Sequence, residues 1–275
     1  MTATLRDGVR DVAPWIVRAA RLGYAAKGLV YLIIGALARV AAFGGGGGRT
    51  TDARGALAFL GARRAGDVAL VAVGVGLLGY AVWRLIVALT DAERRGTGAK
   101  GLALRVGQAA RGLVYGSLGV EALRLVAAAS AGPSGDRTEH WTARLLAAPF
   151  GRWVVGAAGI GVIAYALHQL YRAAWKDPRK HLDLGGAGRE ASAWVVRLGR
   201  FGIAARGVVF VFVGWFLVRA AREAVPERAG GIGESLATLA RQPHGRVLLA
   251  VAAIGLSAYG AYQLANALYR RMRLT

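Results

Sequence analysis

The sequence contains no cysteine, which excludes disulfide-stabilised domains and any zinc or iron–sulfur site with cysteine ligands. Acidic residues are also scarce, since 15 Asp and Glu stand against 36 Lys and Arg and give a formal net charge of +21. Hydrophobic residues make up 55% of the chain, which excludes an intrinsically disordered protein. A mean hydropathy of +0.41 beside so high a charge requires that apolar and basic residues occupy separate stretches. Multi-span membrane proteins have this pattern.

Long apolar stretches predict an all-α membrane protein with six transmembrane helices. A helix needs about 20 apolar residues to cross the hydrocarbon core, and all six prolines lie outside the stretches of that length. A soluble helical bundle is the alternative, but six helices that are apolar on every face leave no surface for water. The predicted spans are residues 22–42, 68–89, 106–129, 153–174, 201–220 and 247–269.

The distribution of Lys and Arg predicts that both termini lie in the cytoplasm. Of the 36 basic residues, 22 fall on the side of the termini and 14 on the opposite side. Basic residues accumulate in cytoplasmic connections. The segment before the first span alternates charged and apolar residues and has no small-residue cleavage site, so we expect no cleavable signal peptide.

The chain repeats one helical hairpin three times. Residues 21–31 read RLGYAAKGLVY, residues 105–115 read RVGQAARGLVY, and residues 200–210 read RFGIAARGVVF. The returning helices also match, with Gly, Tyr and Leu at the same spacing in each. We therefore expect hairpin repeats over residues 1–95, 96–185 and 186–275. A two-span unit returns to its starting side, so the three repeats share one orientation, and we expect a pseudo-threefold axis along the membrane normal.

Small residues recur four positions apart in every long helix and predict close helix packing, because they let two backbones approach. The predicted packing glycines are Gly23, Gly28, Gly35, Gly107, Gly112, Gly119, Gly202, Gly207, Gly214, Gly76, Gly161 and Gly255.

Basic, phenolic and amide side chains recur at one predicted depth, close to the inner leaflet. If their helix faces point inward, they form an anion- or lipid-binding ring. The alternative is that each cation extends separately to a lipid headgroup. No acidic residue recurs with them, so an exogenous anion is the simplest counter-charge. The predicted ring consists of Lys27, Arg111, Arg206, Tyr80, Tyr165, Tyr259, Arg84, Gln169 and Gln263.

Signals for catalysis are poor, and we expect a protein that is not an enzyme and has no metal or cofactor. No nucleophile–base pair, metal-ligand spacing or phosphate-binding loop occurs. Glu121 is interpreted as a local ion pair with Arg124, and His168 as a hydrogen-bonded core residue. The arginines are spread over both membrane faces at span ends, which favours lipid headgroups over nucleic acid as partners.

The connections on the outer side predict short amphipathic helices at residues 55–60, 141–146 and 234–240, each preceding a returning span.

The repeated motifs resemble those of a bacterial membrane family, Domain of Unknown Function 1206. The resemblance rests on residues 23–31, GYAAKGLVY, and on residues 255–264, GLSAYGAYQL, with their counterparts across residues 15–270. The second repeat departs slightly, with Gln108 where the first has Tyr24. The resemblance implies three tandem two-helix units in the bacterial cytoplasmic membrane, but no activity.

Two functional readings remain open at this point. The first is a non-enzymatic scaffold whose bundle binds an anionic lipid or small anion. The second is a channel or carrier for a small anionic solute, by analogy with other carriers built from three two-helix repeats. A homo-oligomer or a protein partner in the membrane is compatible with both.

Overall fold

A computed structural model describes residues 14–43, 50–90, 98–127, 150–176, 189–225 and 229–269. These residues form eight helices and no strand, which confirms the predicted all-α class. The helices are α1 (Pro14–Phe43), α2 (Ala53–Gly61), α3 (Gly66–Thr90), α4 (Ala99–Ala127), α5 (Gly151–Trp175), α6 (Arg189–Glu223), α7 (Ile232–Ala240) and α8 (Gly245–Tyr269).

Five of the long helices are apolar enough to cross a membrane, where the sequence predicted six. They correspond to residues Ala20–Phe43, Gly66–Thr90, Gly151–Trp175, Ser192–Glu223 and Gly245–Tyr269. Helix α4 has 29 residues and is long enough, but Gln108, Arg111 and Glu121 interrupt its apolar stretch. All six long helices expose large apolar side chains, among them Leu113, Ile160 and Val247, each more than 60% exposed. Such a surface is typical of contact with lipid rather than water.

The six long helices pack in the order in which they follow one another in the chain. Helix α1 packs against α3, α3 against α4, α5 against α6, α6 against α8, and α8 returns to α1. In the parts of the chain that the structure describes, α4 and α5 do not form such a packed pair. The bundle is therefore closed by the contact between its first and last helices, α1 and α8. Within the described residues, the two helices of its second hairpin are not packed against each other.

The contacts between repeats use equivalent residues in all three places. Gly28 meets Leu264 of α8, Gly112 meets Leu85 of α3, and Gly207 meets Leu170 of α5. These leucines occupy matching positions in their repeats. Two turns further along, a second set of glycines approaches backbone carbonyls of the neighbouring helix. Cβ atoms built on these glycines would lie 2.7–2.9 Å from those oxygens, so only glycine fits there. The three pairs are Gly35 with Ala253, Gly119 with Gly74, and Gly214 with Gly159.

The contacts within a hairpin are made in the first and third repeats. A Cβ at Gly23 would clash with Tyr80 of α3, and one at Gly202 would clash with Tyr259 of α8. Gly76 likewise meets Ala26, and Gly255 meets Ala205. These four glycines hold α1 to α3 and α6 to α8 at backbone contact.

The equivalent glycines of the second repeat correct the sequence prediction. Among the described residues, apart from chain neighbours and the adjoining backbone of the same helix, no heavy atom lies within 4 Å of a Cβ built at Gly107 or Gly161. Gly161 is exposed and Gly107 is half-buried. The two glycines therefore do not pack α4 against α5, because the hairpin is open at this level.

Two of the three predicted short helices are present. Helix α2 covers residues 55–60 and α7 covers 234–240, while residues 141–146 lie outside the described residues. Asp52 caps α2 by accepting hydrogen bonds from the amides of Arg54 at 3.0 Å and Gly55 at 2.9 Å. Leu57 and Leu236 are buried, so each short helix packs an apolar face onto the bundle.

Candidate functional site: a cluster of cations and tyrosines

Each long helix contributes at least one side chain to a single cluster inside the bundle. The members are basic or aromatic, and most are buried. We call this set the cation–tyrosine cluster: Lys27, Tyr31, Tyr80, Arg111, Tyr115, Tyr165, Arg206, Phe210 and Tyr259.

Within each hairpin, the cation of the outgoing helix lies over the tyrosine of the returning helix. The Lys27 Nζ is 5.4 Å from the centroid of the Tyr80 ring. The corresponding guanidinium-to-ring distances are 4.7 Å for Arg111 with Tyr165 and 5.0 Å for Arg206 with Tyr259. A cation at this distance is attracted by the negative face of the ring. A cation–tyrosine pair at equivalent positions thus occurs in each of the three repeats, including the open second hairpin.

Other contacts join the repeats to one another. The Lys27 Nζ lies 4.8 Å from the centroid of the Tyr115 ring, which joins the first repeat to the second. The Arg206 Nε donates a hydrogen bond to the Tyr31 hydroxyl at 2.9 Å, which joins the third repeat to the first. Its Nη1 donates to the Tyr165 hydroxyl at 3.1 Å, which joins the third repeat to the second.

Aromatic rings pack edge to face between these cations. The ring centroids of Tyr31 and Tyr259 are 4.8 Å apart, and those of Tyr80 and Tyr115 are 5.1 Å apart. These separations fall within the range of about 4.5–7 Å between ring centroids that aromatic pairs prefer. At this level, aromatic rings pack between α1 and α8 and between α3 and α4.

Arg84 forms a second polar group beside the cluster. Its Nη2 donates to the Tyr24 hydroxyl at 2.8 Å and its Nη1 to the Gln108 Oε1 at 3.1 Å. Its guanidinium also lies 4.8 Å from the centroid of the Tyr80 ring. The two amides at the positions matching Arg84 are buried as well, and one of them, Gln169, accepts from Arg172 at 3.4 Å. The other is Gln263.

The burial of the cations separates the two alternatives left open by the sequence. Lys27, Arg84 and Arg206 are 5–6% exposed and face tyrosines of the bundle, rather than extending outward as snorkelling side chains do. Arg111 is half-buried and Tyr165 is half-buried with it.

Some members of the cluster were missed by the sequence reasoning. Tyr31, Tyr115 and Phe210 follow the three cations by four residues and are not among the residues of the predicted ring. That spacing places them on the same helix face as the cation, which is the signal that could have identified them. Tyr24 and Gln108 precede the cation by three residues and share that face too.

Two further predictions concern single residues. His168 was expected in the core, but it is exposed and its ring stacks on Tyr171 with centroids 6.4 Å apart. The core prediction is wrong because, in the part of the chain that the structure describes, α5 packs against α6 but not against α4. Glu121 is buried and Arg124 is exposed. Among the residues in the six described ranges, no three His, Asp or Glu side chains lie close enough to hold a metal ion.

Comparison with known proteins gives a family and a relative. The family Domain of Unknown Function (DUF1206) matches the chain three times, at residues 22–91, 106–176 and 201–270. The chain is 36% identical over 263 residues to "Uncharacterized protein YxxB" of Bacillus subtilis (strain 168), covering 96% of this chain and 94% of that protein. No solved structure matches.

Proposed function

This chain belongs to the DUF1206 family of three-repeat proteins, and we propose that it is a non-enzymatic scaffold of the bacterial cytoplasmic membrane that binds an anionic lipid or a small anion. The observation that carries the proposal is the cation–tyrosine cluster, in which cations from all three repeats contact tyrosines of the bundle. Two of these cations, Lys27 and Arg206, are buried.

The architecture we infer is a pseudo-threefold bundle of six spans with both termini in the cytoplasm. The support for the axis is that equivalent glycines and leucines form all three contacts between repeats, including the contact of α8 with α1. The support for a sixth span is that α4 packs along α3 through Gly112 and Gly119 in the same way as the other outgoing helices pack. Its polar residues lie partly against protein, where Gln108 and Glu121 are buried.

The charges of the cluster favour an anion as its ligand. The matched charged positions of the three repeats are all basic, and the long helices carry carboxylates near their ends, at Asp67, Glu190 and Glu223, and at Glu121 within α4. Glu121 follows Arg111 by ten residues, which is about 15 Å along the helix. Cations in a low-dielectric interior interact strongly with an approaching anion, and guanidinium groups match phosphate geometry well.

A channel or carrier for a small anionic solute is the second candidate. It shares the basic cluster, but the Tyr31–Tyr259 and Tyr80–Tyr115 pairs pack edge to face and occupy space between α1 and α8 and between α3 and α4. This packing supports the scaffold. Flux of a labelled anion into proteoliposomes separates the two functions, because a scaffold gives no flux above protein-free vesicles.

Native mass spectrometry of the purified protein tests the binding proposal. We expect retained phosphatidylglycerol or another anionic lipid and no comparable retention of phosphatidylcholine. Arg111→Gln removes a charge-assisted contact worth roughly 1.5–3 kcal/mol, which corresponds to about a tenfold or greater loss of affinity. The matched control is Arg246→Gln, which removes the same charge from an exposed position of α8 outside the cluster. Equal binding by wild type and Arg111→Gln, or retention of neutral and anionic lipid alike, contradicts the proposal.

A further inference from the structure

The second hairpin differs from the other two over about two helical turns at the level of the cluster. In the third repeat, Tyr262 of α8 packs onto Gly199 of α6, where a Cβ would lie 2.8 Å from the ring. The counterpart of Tyr262 in the second repeat is His168, which is exposed. Gly161 is also exposed. His168 and Gly161 lie about 10 Å apart along α5, and an opening between α4 and α5 extends over that length. We call it the α4–α5 cleft, bounded by Leu104, Gly107 and Ala110 on α4 and by Gly161, Tyr165 and His168 on α5.

Two guanidinium groups contact Tyr165 at the inner side of this cleft. Arg206 donates to the Tyr165 hydroxyl at 3.1 Å, and Arg111 lies 4.7 Å from the centroid of the Tyr165 ring. Arg172 follows Tyr165 by seven residues, which places both on the same face of α5, and it donates a hydrogen bond to Gln169 at 3.4 Å. Arg206 is buried, whereas Arg111 and Arg172 are half-buried, so a ligand in the cleft can reach the latter two.

Apart from His168, the other residues that line the cleft are apolar. Leu104, Ala110 and Gly161 are exposed and carry no charge. The outer faces of both helices continue as apolar surface, with Leu113 67% and Ile160 63% exposed. A molecule that enters from the bilayer therefore meets apolar walls first and the arginines afterwards.

Resting on the proposed function, we propose that the α4–α5 cleft is a lateral binding site for one anionic phospholipid. Its phosphate is bound by Arg111 and Arg172 beside Tyr165, and an acyl chain lies against Gly161 and Ala110. The basic lining matches a lipid whose headgroup carries net negative charge. A second copy of this chain is the poorer occupant, since two clefts lined by arginine repel each other.

Substitution at the cleft tests the site without disturbing the packed glycines. Gly161→Leu places a side chain where no described atom lies within 4 Å of a Cβ, so the fold tolerates it while the cleft is filled. Ala110→Leu fills the same cleft from the opposite helix. The matched control is Ala174→Leu, an exposed position about 140° away around α5. We expect both cleft variants to lose at least about tenfold of their affinity for phosphatidylglycerol and the control to bind as wild type does.

The outcomes distinguish this site from the broader proposal. If Arg111→Gln weakens lipid binding but Gly161→Leu and Ala110→Leu do not, anion binding stands and the lateral site is overturned. If inorganic phosphate displaces the lipid at equal concentration, the ligand is a free anion and the lateral site is overturned as well. A phosphatidylglycerol with a photoreactive acyl chain is expected to crosslink to residues 104–110 and 161–168. Crosslinks confined to other helices, or a crosslinked dimer through α5, contradict the assignment.

Discussion

Arg206 and Tyr31 are 175 residues apart in the chain and are joined by a hydrogen bond of 2.9 Å from the guanidinium Nε to the phenolic oxygen. Both side chains are buried, at 5% and 4% exposure. The bond joins the third repeat to the first, at the same place where α8 packs on α1. A polar contact inside the bundle thus reinforces the packing that brings the ends of the chain together.

Removal of the Tyr31 hydroxyl is expected to destabilise the protein. Tyr31→Phe keeps the ring against Tyr259 but takes one acceptor from a buried guanidinium, at a cost of about 1–3 kcal/mol. The measurement is the free energy or midpoint of unfolding in detergent. Tyr171→Phe is the control, because Tyr171 is half exposed on α5 and its hydroxyl lies outside the cluster. An unchanged midpoint for Tyr31→Phe shows that the bond contributes nothing to stability.

Alanine substitutions at matched glycines are expected to have opposite effects in different repeats. Gly23→Ala and Gly202→Ala force a methyl group into the opposing helix, and overpacking of this kind costs about 1–3 kcal/mol. Gly107→Ala and Gly161→Ala meet no described atom within 4 Å, and they gain up to about 1 kcal/mol from helix propensity. Thermal unfolding of the four variants measures the contrast. Equal destabilisation at all four positions indicates that the second hairpin is closed like the others.

The cap of the first short helix is expected to contribute measurably to stability. Asp52→Ala removes the acceptor for the amides of Arg54 and Gly55 and is expected to cost roughly 0.5–2 kcal/mol. Asp52→Asn keeps an acceptor oxygen at the same position and serves as the control. The rate of proteolysis between α2 and α3 is a local readout. Equal rates for Asp52→Ala and wild type contradict a role for the cap.

The absence of cysteine allows the number of spans to be counted by labelling. Single cysteines at Ala62, Gly98 and Thr275 are probed with a membrane-impermeant maleimide in intact spheroplasts and in inverted vesicles. Six spans place positions 98 and 275 on the cytoplasmic side and position 62 on the opposite side. If α4 does not cross the membrane, position 275 becomes accessible from outside while position 98 does not.

The repeat pattern accounts for much of the site's geometry. The i, i+4 spacing of Lys27 and Tyr31, and of their counterparts, determines that a cation and a ring share one helix face. The matching offsets of the returning helices place Tyr80, Tyr165 and Tyr259 at equivalent positions. From these two regularities the sequence predicts which residues share a depth. It does not predict which residue of a neighbouring repeat each cation contacts.

The sequence by itself determined the helical class, the repeats, the apolar stretches and ten of the twelve predicted glycines at which helices approach, because these follow from local periodicity and composition. Tertiary structure alone decided that Lys27 and Arg206 are buried among tyrosines, since burial depends on how three hairpins are arranged. It also decided that Gly107 and Gly161 have no packing partner among the described residues, although their counterparts are packed. A single residue's surroundings depend on the distance between two helices, and identical motifs do not fix that distance.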